Sequence, residues 1–213
     1  MELDTAEAYY RMRRSVSRPA NHAHALIVDM AISACLSLAV ELHFIRTMRF
    51  SLQPAVADDA PTLAALHKAV ADHLTGLHGR GPLSSKTSEK GVLHAMRNSR
   101  VFVAREGTEI VATLRLATKK PWAINTRYFT ACSKPLYLLA MAVTPTRQRQ
   151  GIGRRCMEEV RRIAKTWPAD AIRLDAYDAV AGAGPFYARC GCTEVGRATY
   201  RNAPLIYYEL LLA

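Results

Sequence analysis

The sequence predicts a mixed α/β domain, a β-sheet flanked by helices, and three observations carry that prediction. Half of the residues are hydrophobic, enough to build a buried core and too many for general disorder. Short β-rich runs bounded by turn residues alternate with stripes of helical period. The runs and stripes follow one another as β-α-α-β-β-β-α-β-α-β-β over residues 49–213, with no internal repeat.

The elements follow in order. "RFSLQPA" alternates like a short strand. "ADDAPTLAALHKAVADHL" is a helix, with Asp58 or Asp59 as N-cap and Pro61 in the first turn. Leu63, Leu66, Val70 and Leu74 mark its apolar face, leaving His67 and His73 on the surface. "SEKGVLHAMRNS" is a second helix capped by Ser88. "RVFVARE" and "EIVATLRLAT" form a hairpin about "EGTE". A long connection, "KKPWAINTRYFTACSKP", leads to "LYLLAMAV", whose unbroken apolarity implies a strand buried on both faces. Ile152, Cys156, Val160, Ile163 and Trp167 then trace a helix that Pro168 ends. Arg154–Glu158, Arg155–Glu159 and Glu158–Arg162 are spaced for i,i+4 pairs on its outer side. "AIRLDAY" is another buried strand. "GAGPFYARCG" is a short helix stopped by Gly191, and "TEVGRATY" and "PLIYYELLL" close the chain around "RNAP".

Residues 1–48 read differently, as a helical extension ahead of a domain at 49–213. Their apolar run, Ala23 to Ile45, is interrupted by Asp29 and Glu41. Its uninterrupted part is shorter than the ~20 residues a membrane span needs, and the acidic start is unlike a signal peptide. A helical hairpin packing on the domain, or joining two copies as a homodimer, is the expectation. The net charge of +11 favours anionic partners. No recognition-helix pattern or aromatic-basic repeat points to nucleic acid. Five cysteines without disulfide or zinc spacing point to a reducing, cytoplasmic compartment and no metal.

"QRQGIGRRC" carries the chemistry. Glycines between a strand and a helix let an anion approach unpaired backbone N–H groups at the positive end of the helix dipole. A P-loop needs a lysine and a hydroxyl that are absent. The dinucleotide fingerprint needs a third glycine where Cys156 stands, although Asp175 lies at a suitable distance downstream. The loop also starts too far beyond the strand.

Gln148 to Gly153 match the Q/R-x-x-G-x-G/A signature of the GCN5-related N-acetyltransferases (GNAT family). "MAVTP" resembles that family's central strand, and "GPFYARCGC" resembles its segment bearing a tyrosine, here Tyr187. The element order agrees as well. The resemblance implies a mostly antiparallel twisted sheet splayed in a V, acetyl-CoA as co-substrate, and acetyl transfer to a primary amine in a ternary complex. Backbone of Met141, Ala142 and Val143 would pair with the pantetheine arm. Gln148, Arg149, Gln150, Gly151, Ile152, Gly153 and Arg154 would hold the pyrophosphate, with the N–H groups of Arg149 to Arg154 as the grip. Tyr187 would serve the leaving thiolate. Val180 stands where the family often has Asn, and Cys192 where it has an aromatic.

The acceptor side is less determined. Trp122, Tyr128 and Phe129 in the long loop, His78 after the first helix, and Asp175 at the end of the fifth strand are its candidates. Asp175 and Asp178 are both open as general base. The acceptor is a small-molecule or peptide amine. The competing readings are a non-catalytic acyl-CoA-binding sensor or scaffold and a basic protein associated with nucleic acid.

Overall fold

The computed structural model describes residues 50–212, and the extension expected over 1–48 lies outside them. Seven strands form one sheet in the order β1-β2-β3-β4-β5-β7-β6. The strands are β1 (Leu52–Pro54), β2 (Arg100–Glu106), β3 (Glu109–Ala117), β4 (Pro135–Val143), β5 (Ala171–Tyr177), β6 (Thr193–Tyr200) and β7 (Ala203–Leu211). The helices are α1 (Ala60–His78), α2 (Glu89–Asn98), α3 (Ile152–Thr166) and α4 (Gly184–Arg189). The order in the chain is the one the sequence predicts.

All neighbouring pairs are antiparallel except β4 with β5. Those two are parallel because a helical crossover, α3, joins them. Each face of the sheet has its own core. Leu114, Leu116, Leu136, Leu138, Ile172 and Leu174 pack against Ile152, Cys156, Met157 and Val160 of α3. Val101, Val103 and Ile110 pack on the other face against Leu63 and Leu66 of α1 and Val92 and Ala95 of α2. Ile152, Met157 and Val160 are essentially without exposure, and each such side chain contributes about 1.5–3 kcal/mol of burial.

Turn chemistry sets the register. Gly107 takes φ 62° between β2 and β3, and Arg201 and Asn202 take φ 49° and 64° in the tight turn between β6 and β7. Ser88 accepts a hydrogen bond from the Gly91 N–H at 3.2 Å and caps α2. Asp59 occupies the N-cap position of α1 without capping it. Its carboxylate turns back to the Val56 N–H at 3.0 Å and to Arg105 at 2.5 Å. A competing cation from β2 thus takes the oxygen that sequence spacing assigns to the helix. On α3, Arg154 pairs with Glu158 as expected, but Arg162 reaches Glu159 instead, three residues back. Arg155 lies within 4.0 Å of Glu106 and over the Phe50 ring.

The third satellite of apolar packing pins the long connection. Ile124 and Phe129 pack with Tyr137, Leu205 and Tyr207. Under them lies a fully buried pair, Arg173 and Glu209, at 2.9 Å. The guanidinium also donates to the Thr130 carbonyl, and the carboxylate accepts from the Thr130 N–H at 3.1 Å. Both charges are satisfied, so the loop is tied to the sheet by groups that cost several kcal/mol to leave unpaired.

Candidate active site

The site begins where β4 and β5 part. They pair only at Pro135–Ala171, Leu136–Ile172 and Tyr137–Arg173. Beyond that point β4 stays on β3 and β5 stays on β7. A slot therefore opens between Leu138–Val143 of one strand and Leu174–Tyr177 of the other. The register of β4 on β3 shifts across Leu139 to Ala142, and Ala140 takes φ 48°. This is a β-bulge, which bends one strand away from its neighbour. Met141 and Val143 are half-buried and Ala142 is buried.

The loop after β4 wraps the mouth of the slot. Pro145–Arg147 form a 3-10 turn. Gln148 donates from Nε2 to the Val143 carbonyl at 3.1 Å, and Gln150 donates to the Thr146 carbonyl at 3.2 Å. Their side chains are thus occupied in shaping the loop. Arg149 (φ 58°) and Gly151 (φ 78°) are both left-handed, a conformation that turns successive N–H groups to one side. The Arg147 and Gln148 N–H groups bond to Thr144 and Pro145, and the Arg155 N–H bonds to Gly151. Between them, the N–H groups of Arg149, Gln150, Gly151, Ile152, Gly153 and Arg154 have no acceptor among the described residues. Six consecutive donors at the positive end of a 15-residue helix form an anion cradle.

The two glycines differ in purpose. Gly151 supplies the left-handed turn and faces open space. A side chain on Gly153 would start 3.2 Å from the Phe186 ring and 3.5 Å from the Met141 methyl. Its missing side chain makes room for α4 rather than for an anion. Arg161 of α3 donates to the Cys190 carbonyl and fastens α4 there. Arg154 and Arg189 are exposed near the same point.

Tyr187 projects from α4 into the core, 8% exposed. Its ring lies edge-on to Phe186 at 5.2 Å and tilted to Tyr208 at 6.1 Å. Burial drives its phenol well above the ordinary tyrosine range, with the Cys192 thiol and the Asp175 carboxylate adding to the effect. It stays protonated. Asp175 is half-buried on β5, and burial raises its carboxyl above the usual range. It is paired with Tyr207 of β7, and its charge also reaches Tyr187. Asp178 is instead engaged by Arg197 at 2.8 Å.

The other acceptor-side candidates separate. His78 ends α1 and lines a cavity of about 250 Å³ with Leu74, Arg80, Leu83, Tyr177 and Val180. Tyr177 lies two residues beyond Asp175 on the same face of β5, so the cavity continues that face outward. Phe129 is buried, packed on Tyr207 at 5.4 Å with the Arg173 guanidinium 5.0 Å over its ring. Tyr128 packs on Tyr207 and against Gly196. Trp122 is 88% exposed. The long-loop aromatics are thus one core residue, one rim residue and one free ring, not a cluster. Tyr207, whose hydroxyl donates to the Ala123 carbonyl at 2.6 Å, holds that loop and has no motif in the sequence to announce it. His67 is half-buried rather than on the surface, and burial first and the Arg115 charge second hold its imidazole below the usual range. Among the described residues no cluster of His, Cys, Asp or Glu is arranged to hold a metal, and no helix is long and apolar enough to cross a membrane.

The sequence matches the acetyltransferase (GNAT) family over residues 67–192. No curated protein matches it. Among solved structures, the ribosomal-protein-S18-alanine N-acetyltransferase from Escherichia coli superposes with a TM-score of 0.57 at 16% identity, covering 77% of this chain and 94% of that one. A putative acetyltransferase from Salmonella typhimurium, solved with its cofactor acetyl-CoA, gives 0.54 at 14% identity over 77% and 94%. A ribosomal-protein-alanine N-acetyltransferase from Brucella melitensis gives 0.56 at 16% over 76% and 99%. At these identities the likeness is one of fold.

Proposed function

The chain belongs to the acetyltransferase (GNAT) family, and on that premise we propose that residues 49–213 transfer the acetyl group of acetyl-CoA to a primary amine by direct attack in a ternary complex. The observation that carries this reading is the run of six unclaimed N–H groups beside the parting of β4 and β5. Such a run fits a pyrophosphate, and the slot beside it fits an extended arm. The Salmonella structure with acetyl-CoA supports that donor by analogy.

Acetyl-CoA supplies an activated acyl group and a thiolate leaving group. The chain's own residues do the rest. The amides of Arg149 to Arg154 bind the diphosphate, with exposed Arg154 and Arg189 near enough to add charge. The bulge at Ala140 frees the β4 edge so that Met141 to Val143 orient the arm like an added strand. Tyr187, kept protonated by its burial, donates to the sulfur as it leaves. Asp175 accepts the amine's proton, directly or through one water, and its raised carboxyl is a better base than an exposed one. Burial raises the Cys190 and Cys192 thiols, which disfavours the thiolate that covalent catalysis needs and fits direct attack. The ribosomal-protein-alanine N-acetyltransferases among the fold neighbours make a protein N-terminus one acceptor class to include.

The test is release of free CoA thiol from acetyl-CoA across amines, amino acids, aminoglycosides and peptides, with acetyl-CoA affinity measured alongside. Binding with turnover of at least one amine is the expected result. Neither binding nor thiol release with any acceptor overturns the reading.

A further inference from the structure

Arg115 stands apart from the other covered arginines. Arg105 meets Asp59, Arg147 and Arg155 meet Glu106, Arg173 meets Glu209, and Arg161 meets the Cys190 carbonyl. Arg115 is half-buried and its Nε, like those of Arg147 and Arg161, is shut away from solvent without a hydrogen-bond partner, but the rest of its guanidinium meets neither an acid nor a carbonyl among the described residues. A guanidinium desolvated without an acceptor is costly. A ligand that supplies an acceptor offsets that cost.

Its position says which ligand. Arg115 is paired with Leu139 of β4, beside the Ala140 bulge. Tyr137 of β4 is paired with Arg173 of β5. Two residues further along each strand come Leu139 and Asp175, on the same face and on opposite sides of the slot. Arg115 and Asp175 therefore share one face of the sheet, one on each flank of Leu139. Two strand spacings separate their backbones, roughly 10 Å before the splay. Leu139 stands between them and packs on the Ile124 and Phe129 cluster, so a short molecule lying over Leu139 could reach both side chains.

We infer that Arg115 binds a carboxylate on the acceptor while Asp175 faces its amine, so that the enzyme acetylates a small amine bearing a carboxylate, of amino-acid type. This rests on the acetyl-transfer reading above. The guanidinium fork matches a carboxylate with two parallel hydrogen bonds. His67 of α1 feels the Arg115 charge, and burial together with that charge disfavours its protonated form. The subsite thus carries one positive charge, which suits a carboxylate better than a phosphate dianion. The cavity that continues the same face outward is lined by His78 and Arg80 and by no acidic side chain, so an anionic acceptor meets no repulsion on entry.

The experiment compares matched acceptors on the full chain: amino acids, their carboxamides, the decarboxylated amines, and the corresponding phosphonates. Initial rates are measured as thiol release at saturating acetyl-CoA. The wild type is expected to take the carboxylates with kcat/KM at least about 30-fold above the amides, the size of a hydrogen-bonded charge pair. Arg115→Met is expected to abolish that preference by raising the acceptor KM, and Arg115→Lys to restore part of it, with acetyl-CoA affinity and the thermal midpoint as checks on folding. Wild-type rates that are equal for acids and amides overturn the inference while leaving acetyl transfer standing, whatever the variants do. Preference for the phosphonates overturns the choice of carboxylate. If no amine releases thiol, the acetyl-transfer reading falls and this inference with it.

Discussion

The two sides of the slot are built from different materials. The donor side is backbone: six N–H groups from one continuous loop and the bent edge of β4. The proposed acceptor side is side chain: Asp175 of β5, Arg115 of β3 and His78 at the end of α1, drawn from separate elements. A backbone grip recognises a constant ligand and tolerates changes of side chain. A side-chain grip can be retuned residue by residue. The difference is what a transferase with one donor and a selectable acceptor needs.

Substitutions can break each side separately. The largest effects belong to the proton-handling pair. Tyr187→Phe should lower kcat by about 10²–10⁴-fold, with acetyl-CoA affinity retained in a direct titration. Asp175→Asn should lose a comparable factor. It should also raise the thermal midpoint at neutral pH. The Asp175 carboxyl is raised in the folded state, so the native form holds its proton more tightly than the unfolded chain does. Its contribution favours the fold in acid, below the ordinary carboxylate range, and is lost as pH rises through the raised value. At pH 7 the buried charge is a burden that Asn removes, and the gain should vanish when the melt is repeated in acid.

Next comes the scaffold of the acceptor side. Glu209→Ala leaves Arg173 buried and unpaired and frees the Thr130 N–H. It should cost about 3–5 kcal/mol in denaturant unfolding and loosen the 118–134 loop. The smallest effects separate the glycines. Gly151→Ala forces a side chain into a left-handed turn at a cost of about 1–2 kcal/mol and should weaken acetyl-CoA binding by up to about tenfold. Gly153→Ala presses on Phe186 and should lower the thermal midpoint more than it changes donor binding.

The same contrast explains what the sequence made legible. The element order, the Gly107 turn and the Ser88 cap follow from local patterns and appear as expected. The anion loop is local too, because its donors are consecutive in the chain. Arg115 is silent in the sequence: it is a single charged residue in an apolar strand run and belongs to no motif. The role proposed for it depends on β4 and α1, which are distant in sequence. Asp59 fails as a side-chain cap for the same reason, since Arg105 reaches it from β2. Phe129 and Trp122 look alike in the loop, yet Tyr207 buries the first and nothing covers the second among the described residues. Local chemistry was readable, and long-range partners were not.

The central claim is that the Arg149 to Arg154 amides grip the diphosphate of the donor. Backbone amide resonances followed during titration with acetyl-CoA test it most directly. The account predicts saturable downfield shifts concentrated in those six residues, reproduced by CoA and absent with acetyl-pantetheine, which lacks the diphosphate. Saturable binding that leaves these amides unmoved, or equal shifts with acetyl-pantetheine, would contradict it.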